Sequence, residues 1–206
     1  MTAEPRPKRF PPPEFPPRRP ALFAKTPPAI FPSILGFLGL VIALRLAFGR
    51  LGLEQGPVDL LAGLSVALWM FGAVAYAAKL ARRPGVVLED LRVLPGRSGL
   101  AALTMGGMAS ATIVTAYSVP VATGLLLAAL AGHAVLAGLL VRLLLSLPPE
   151  ARAVNPTLHL SFVGFIVAAP AALAQGWSLL AEVLFWGTLP VAIVIWGLSL
   201  RQFVSA

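Results

Sequence analysis

Six apolar runs, at about 29–48, 58–80, 99–119, 121–145, 157–175 and 178–200, fill most of this 206-residue chain. Each is near the roughly 20 residues that a helix needs to cross a hydrocarbon core of about 30 Å. In lipid every backbone polar group needs an internal partner, which a helix supplies within its own segment. Composition agrees, since 58% of residues are hydrophobic and 12% charged, against about 25% charged in soluble domains. Ser118-Val119-Pro120 and Gln175-Gly176-Trp177 leave room only for tight turns. The expectation is an all-α integral membrane protein of six transmembrane helices arranged as three antiparallel hairpins.

The chain carries a net charge of +8, which in a soluble protein would suggest nucleic acid. Here the basic residues fall between apolar runs, and membrane orientation accounts for them better. With the N-terminus inside, fourteen of the sixteen cations lie on the inner side and only Arg45 and Arg50 outside. That bias predicts both termini in the cytoplasm and, in a bacterial setting, the inner membrane. No nucleic-acid partner is expected; the lipid bilayer is.

Residues 1–27 form a proline-rich basic tail, from Pro5-Arg6-Pro7-Lys8-Arg9 to Arg18-Arg19-Pro20. Such a segment is expected to be extended or disordered, either as a ligand for proline-binding domains or anionic headgroups or as a solvated leader. Residues 28–201 form the transmembrane domain and 202–206 a short C-terminal tail. Between the second and third runs, Val86 to Leu94 alternates apolar and charged groups and predicts a short amphipathic helix at the interface.

The fifth run is the most informative. Asn155 and Pro156 offer a helix start, yet Gly164 and Pro170 interrupt the rest of the run. A membrane helix tolerates such interruption only where the freed backbone groups find partners. Asn155-Pro156-Thr157-Leu158-His159-Leu160-Ser161 with Val163-Gly164 resembles the fifth transmembrane helix of the tellurite-resistance/dicarboxylate transporter family, related to the slow-type anion channels of plant guard cells. Pro28 to Leu40 is similar to that family's glycine-rich first helix, and Glu89-Asp90-Leu91-Arg92 through Pro95-Gly96-Arg97-Ser98 to the basic loop before its third. The resemblance runs in order over roughly residues 27–201. It implies an anion channel or an anion/organic-acid transporter, a homo-oligomer (trimeric in the family), small inorganic or organic anions as cargo, and odd-numbered helices lining the pore.

The residues fit that implication in part. The first run holds Pro32, Gly36 and Gly39, the third Gly106, Gly107, Ser110, Thr112 and Thr115, the fifth Ser161, Gly164 and Pro170. Ser110, Thr112, Thr115, Ser161 and Gly164 are therefore the candidate pathway-lining residues, and the odd helices are expected to kink near Pro32, Gly106–Gly107 and Gly164–Pro170 and to converge. The competing reading is close helix packing through small residues; Gly124, Ala128 and Gly132 on the fourth run serve that purpose as well. Phe165 stands where the plant channels tend to have asparagine, and Phe31, Phe37, Phe162 and Phe165 read as packing groups.

Two intramembrane polar groups stand out. His133 lies mid-way along the fourth run, where an ionisable group is costly and invites a functional reading, against a neutral interhelical hydrogen bond. Glu182 lies shallow in the sixth run, reaching an interface or sitting protonated. His159 suits a capping or interfacial role at least as well as attraction of anions. No metal-ligand spacing, nucleophile with its base, or paired carboxylates occur, and cysteine is absent. Neither a cofactor, a metal nor a catalytic residue is assigned, and an enzyme is the weaker class.

The resembled family builds its pore from five hairpins, whereas three are legible here. This partial version of the five-hairpin fold leaves a second reading open: a non-transporting accessory or structural subunit packed against a larger membrane complex. The isolated chain in liposomes is expected to conduct no anions. Topology is tested directly because the chain lacks native cysteine: Thr2→Cys and Gln55→Cys should label from opposite faces of the membrane, and labelling from one face would refute the assignment.

Overall fold

The computed structural model describes residues 22–148 and 155–205 and contains no strand among them. Most of the proline-rich tail, residues 149–154 with Arg152, and Ala206 lie outside the described residues. A 3-10 turn, Pro28–Ile30, leads into α1 (Phe31–Leu51). Then come α2 (Gly56–Arg82), α3 (Val86–Arg92), α4 (Leu94–Val114) and α5 (Val119–Ser146). The last third comprises α6 (Leu158–Phe162), a 3-10 stretch (Gly164–Ala168), α7 (Ala169–Ala174) and α8 (Ser178–Ser205).

Proline marks the starts. Pro32, Pro57, Pro95, Pro120 and Pro170 each fall in the first turn of their helix, where a missing N–H costs nothing and the fixed φ suits entry. Two reversals need glycine. Gly52 (φ +67) ends α1 and Gly176 (φ +80) turns the chain between α7 and α8, both in the left-handed region that other residues enter at a cost.

Four helices are long and apolar enough to cross a membrane: Pro28–Leu51, Gly56–Arg82, Val119–Ser146 and Ser178–Arg201. The fold is thus an all-helical membrane protein with four such spans. The other two runs differ from plain apolar helices for separate reasons. Glycine, alanine and hydroxyl side chains dilute the hydropathy of α4, and the fifth run divides into α6, the 3-10 stretch and α7.

That division falls at Gly164–Pro170, where an interruption is expected; at Pro32 and Gly106–Gly107 the helices are continuous. Pro32 sits at the start of α1, and α4 runs unbroken through both glycines. A glycine inside a helix costs only about 1 kcal/mol relative to alanine, and here both are held from outside. A Cβ on Gly106 would stand 2.6 Å from Cδ1 of Trp69, and one on Gly107 2.9 Å from Cβ of Ala129. The glycines admit the neighbours rather than bend the helix. Asn155 likewise caps a turn rather than a helix: its Oδ1 accepts from the N–H and the hydroxyl of Thr157, and α6 begins only at Leu158.

Around α4 the other elements assemble in a consistent sense. α1 runs parallel to it, with Pro28 against Gly99, Leu38 against Gly106 and Arg45 reaching the Ile113 carbonyl. The broken segment is also parallel to α4, placing Gly164 at Met105 and clustering Ala168 and Ala171 with Met108 and Ala111. α2 returns antiparallel to α1, joining Asp59 to Arg45 and Tyr76 to Phe31. α5 returns from α4, and α8 packs on the broken segment. α3 lies where the alternation predicts it and buries Val86 and Leu91.

The Trp69 ring over Gly106–Gly107, with Nε1 donating to the Leu103 carbonyl at 2.9 Å, ties α2 to α4. Trp69→Phe should cost about 0.6 kcal/mol, the average for interhelical hydrogen bonds in membranes. Gly106→Ala should cost about 1–3 kcal/mol as an overpacked contact. Combining Gly106→Ala with Trp69→Leu should destabilise less than the sum of the two single changes, measured by unfolding in detergent; strict additivity would show that ring and glycine do not meet.

Candidate functional site

The first group of polar side chains gathers where α4, α5 and the broken segment meet. Thr104 projects from α4 to the ring of His133, with Oγ1 2.7 Å from Nδ1 and 2.9 Å from the Ala101 carbonyl. His133 is 1% exposed. Its Nε2 lies by the Ser161 backbone but makes no well-formed hydrogen bond. The Phe165 ring meets it edge to face at 4.5 Å between centroids. A Cβ on Gly164 would stand 3.0 Å from both Cε1 and Nε2 of His133 and 2.8 Å from Sδ of Met105. Glycine at 164 is therefore what lets the imidazole lie against the broken backbone.

Of the candidates named from sequence, Ser161, Gly164 and His133 come together here, and Ser110, Thr112 and Thr115 do not. Ser110 lies six residues past Thr104, about 9 Å along the helix, wholly buried and with an Oγ that lacks a hydrogen-bond partner. Thr112 and Thr115 donate back to the carbonyls of Met108 (3.3 Å) and Ala111 (2.7 Å). Thr112 also borders an outer groove of about 330 Å³ with Ile42, Arg45 and Gln55. Glu182 is exposed on α8 and has no ion pair among the described residues. His159 has a structural place: Nδ1 lies 3.1 Å from the Pro156 carbonyl and Nε2 3.2 Å from that of Ala192, linking α6 to α8.

Three polar residues escape a sequence reading. Thr104 is one; it sits among small residues with nothing in its neighbourhood to separate it from Thr112. Arg97 is another, counted from sequence only as a loop cation. It lies in the first turn of α4, 7% exposed, with Nε donating to the Leu91 carbonyl at 3.3 Å and no ion pair among the described residues. Its burial follows from Gly96, where a Cβ would come within 2.2 Å of the Asp90 carbonyl oxygen, so α3 lies directly on the start of α4. The proline of Leu94-Pro95 is the sequence signal that could have moved Arg97 from loop to helix.

Arg45 is the third. It is half-buried on α1, with Nη2 3.1 Å from Asp59 and Nη1 donating to the Ile113 carbonyl at 3.5 Å, and its guanidinium lies 5.4 Å from the centroid of Tyr117. Sixteen residues of α4 separate Ile113 from Arg97, about 24 Å of rise. One basic group thus stands at each end of the most enclosed helix.

A comparison with curated proteins finds no match. The comparison with protein families does: residues 25–205 match the family described as voltage-dependent anion channel, SLAC1, and so include every helix from α1 to α8. The chain therefore belongs to the SLAC1 voltage-dependent anion channel family.

Proposed function

We propose that this chain builds the wall of an anion pathway from α1, α4 and the broken segment, with α2, α5 and α8 outside them and all six runs crossing the bilayer. Membership of an anion-channel family supplies the class of cargo. The observation that carries the geometry is the uncovered face of α1. Ser33, Gly36, Gly39, Ala43 and Ala47 are all exposed on it, interrupted by Leu40 and Leu46. Nothing lies within 4 Å of a Cβ placed on Gly36 or Gly39. By contrast the exposed residues of α2 and α8 include Leu60, Leu64, Phe71, Val183, Trp186 and Ile193, the large apolar groups suited to lipid.

Small and hydroxyl-bearing residues beside Arg45 and Arg97 suit a lumen in which backbone dipoles and hydroxyls replace hydration. Of the residues named from sequence, the partly exposed Thr112 and Thr115 are its proposed polar surface, with Ser110, Ser161 and Gly164 buried behind it. His133, engaged with Thr104 and Phe165, fixes the broken segment rather than relaying protons. Further copies of the chain, as in a trimer, would complete the assembly around this wall. The charge bias supports an inner-membrane location with both termini cytoplasmic.

The absence of cysteine makes the test direct. Gly36→Cys, Gly39→Cys and Ala43→Cys, in native membranes, should react with charged thiol reagents, faster with an anionic than a cationic one, and be slowed by permeant anion. Val183→Cys and Val194→Cys should stay unreactive. If α1 instead packs against a partner, as an accessory subunit would, the α1 cysteines will be protected from every reagent and the pathway is refuted.

A further inference from the structure

At the end of the bundle that carries α3, two cavities adjoin. The larger, about 590 Å³, is almost wholly apolar and runs between α2, α3 and α5, with Ala77, Val87, Gly132 and Val135 among its walls. The smaller, about 320 Å³, is bordered by Arg92, Arg142 and Ser146. Leu88 and Leu139 line both, so the two form one amphipathic groove.

The charges beside it are one-sided. Both acids of α3 face other partners: Asp90 takes Lys79 at 3.1 Å and the Tyr76 hydroxyl at 2.8 Å, and Glu89 takes Arg83 at 2.7 Å. Arg92 and Arg142 are exposed and have no ion pair among the described residues. Two guanidiniums at the mouth of an apolar groove, at the border of a bilayer, match one kind of occupant.

We propose that this groove holds an anionic phospholipid, with its phosphate on Arg92 and Arg142 and an acyl chain lying between α2 and α5. Guanidinium forks suit phosphate oxygens, and basic groups beside a membrane favour anionic lipid. The larger cavity is within the roughly 300–1,000 Å³ of typical ligand pockets. A twofold contact between copies through the same patch would set like arginines against each other, since such an interface is self-facing. The lipid would also touch the core of the bundle, because Thr104 lines the groove and bonds His133.

The test is a titration of the full chain in mild detergent, with retained lipid counted by native mass spectrometry, using phosphatidylglycerol and phosphatidylcholine of identical acyl chains. Wild type should prefer phosphatidylglycerol by about 30-fold, roughly fivefold per arginine. The Arg92→Gln/Arg142→Gln pair should lose that preference. Val135→Trp, which fills the groove at an exposed position and should leave thermal unfolding unchanged, should weaken both lipids. Glycerophosphate at millimolar concentration should not displace the lipid. Equal retention of both lipids by wild type, an unchanged preference in the double variant, or displacement by glycerophosphate would overturn the proposal. So would efficient cross-linking between Val135→Cys copies, which would put a second chain in the groove.

Discussion

Close approach to α4 is the constraint on which the rest of the bundle depends. Lipid tails are as apolar as leucine, so helices in a membrane gain little from burying apolar surface and rely on packing and hydrogen bonds. α4 meets this with a surface of very small residues: Gly96, Gly99, Ala101, Ala102, Gly106, Gly107, Ala109, Ser110 and Ala111 are all buried. At Gly99 the fit is as close as at Gly96, because a Cβ would come 2.2 Å from the Pro28 carbonyl oxygen. The low hydropathy that makes α4 a poor span by composition is the same property that lets α1, α2, α5 and the broken segment surround it.

From that packing comes the placement of polar groups. The side chains α4 can hold in such a space are short, and most turn their hydroxyls back to the helix, as Thr112 and Thr115 do to Met108 and Ala111. Thr104 reaches outward because Gly132 and His133 on α5 leave room beside it; a Cβ on Gly132 would lie 3.4 Å from its Cγ2. His133 then presses on Gly164, where the fifth run changes from α to 3-10 geometry. Interrupted backbone inside a membrane needs protein around it, and α4, α5 and α8 provide it.

Much of this was legible in the chain because it rests on local or periodic signals. Run lengths located the helices, alternation located α3, and Gly164 with Pro170 located the break. Pro32 and Gly106–Gly107 do not interrupt their helices as Gly164–Pro170 does, because glycine and proline signal permission rather than a break. Pro32 occupies a first turn, and Gly106 and Gly107 are occupied by Trp69, 37 and 38 positions earlier in the chain. Arg97 was hidden for a similar reason: its burial is caused by the Asp90 carbonyl above Gly96, a tertiary contact without a sequence periodicity. Ser110, Thr112 and Thr115 lie apart from the His133 cluster because rise along α4 places them about 9 Å or more beyond Thr104.

The distribution of charge adds a final step. Among the described residues Asp59, Asp90 and Glu89 are each held by a cation, Glu54 is exposed between α1 and α2 without an ion pair, and Glu182 projects from α8, outside the cluster of α4, α5 and the broken segment. Arg97 meets only a carbonyl through its Nε. Each of these three acids is offset in place by its cation, while the buried guanidinium at the start of α4 has no ion pair among the described residues. A polar path along α4 would carry a positive bias without any cation standing in its middle, where a fixed charge would bind an anion too firmly to release it.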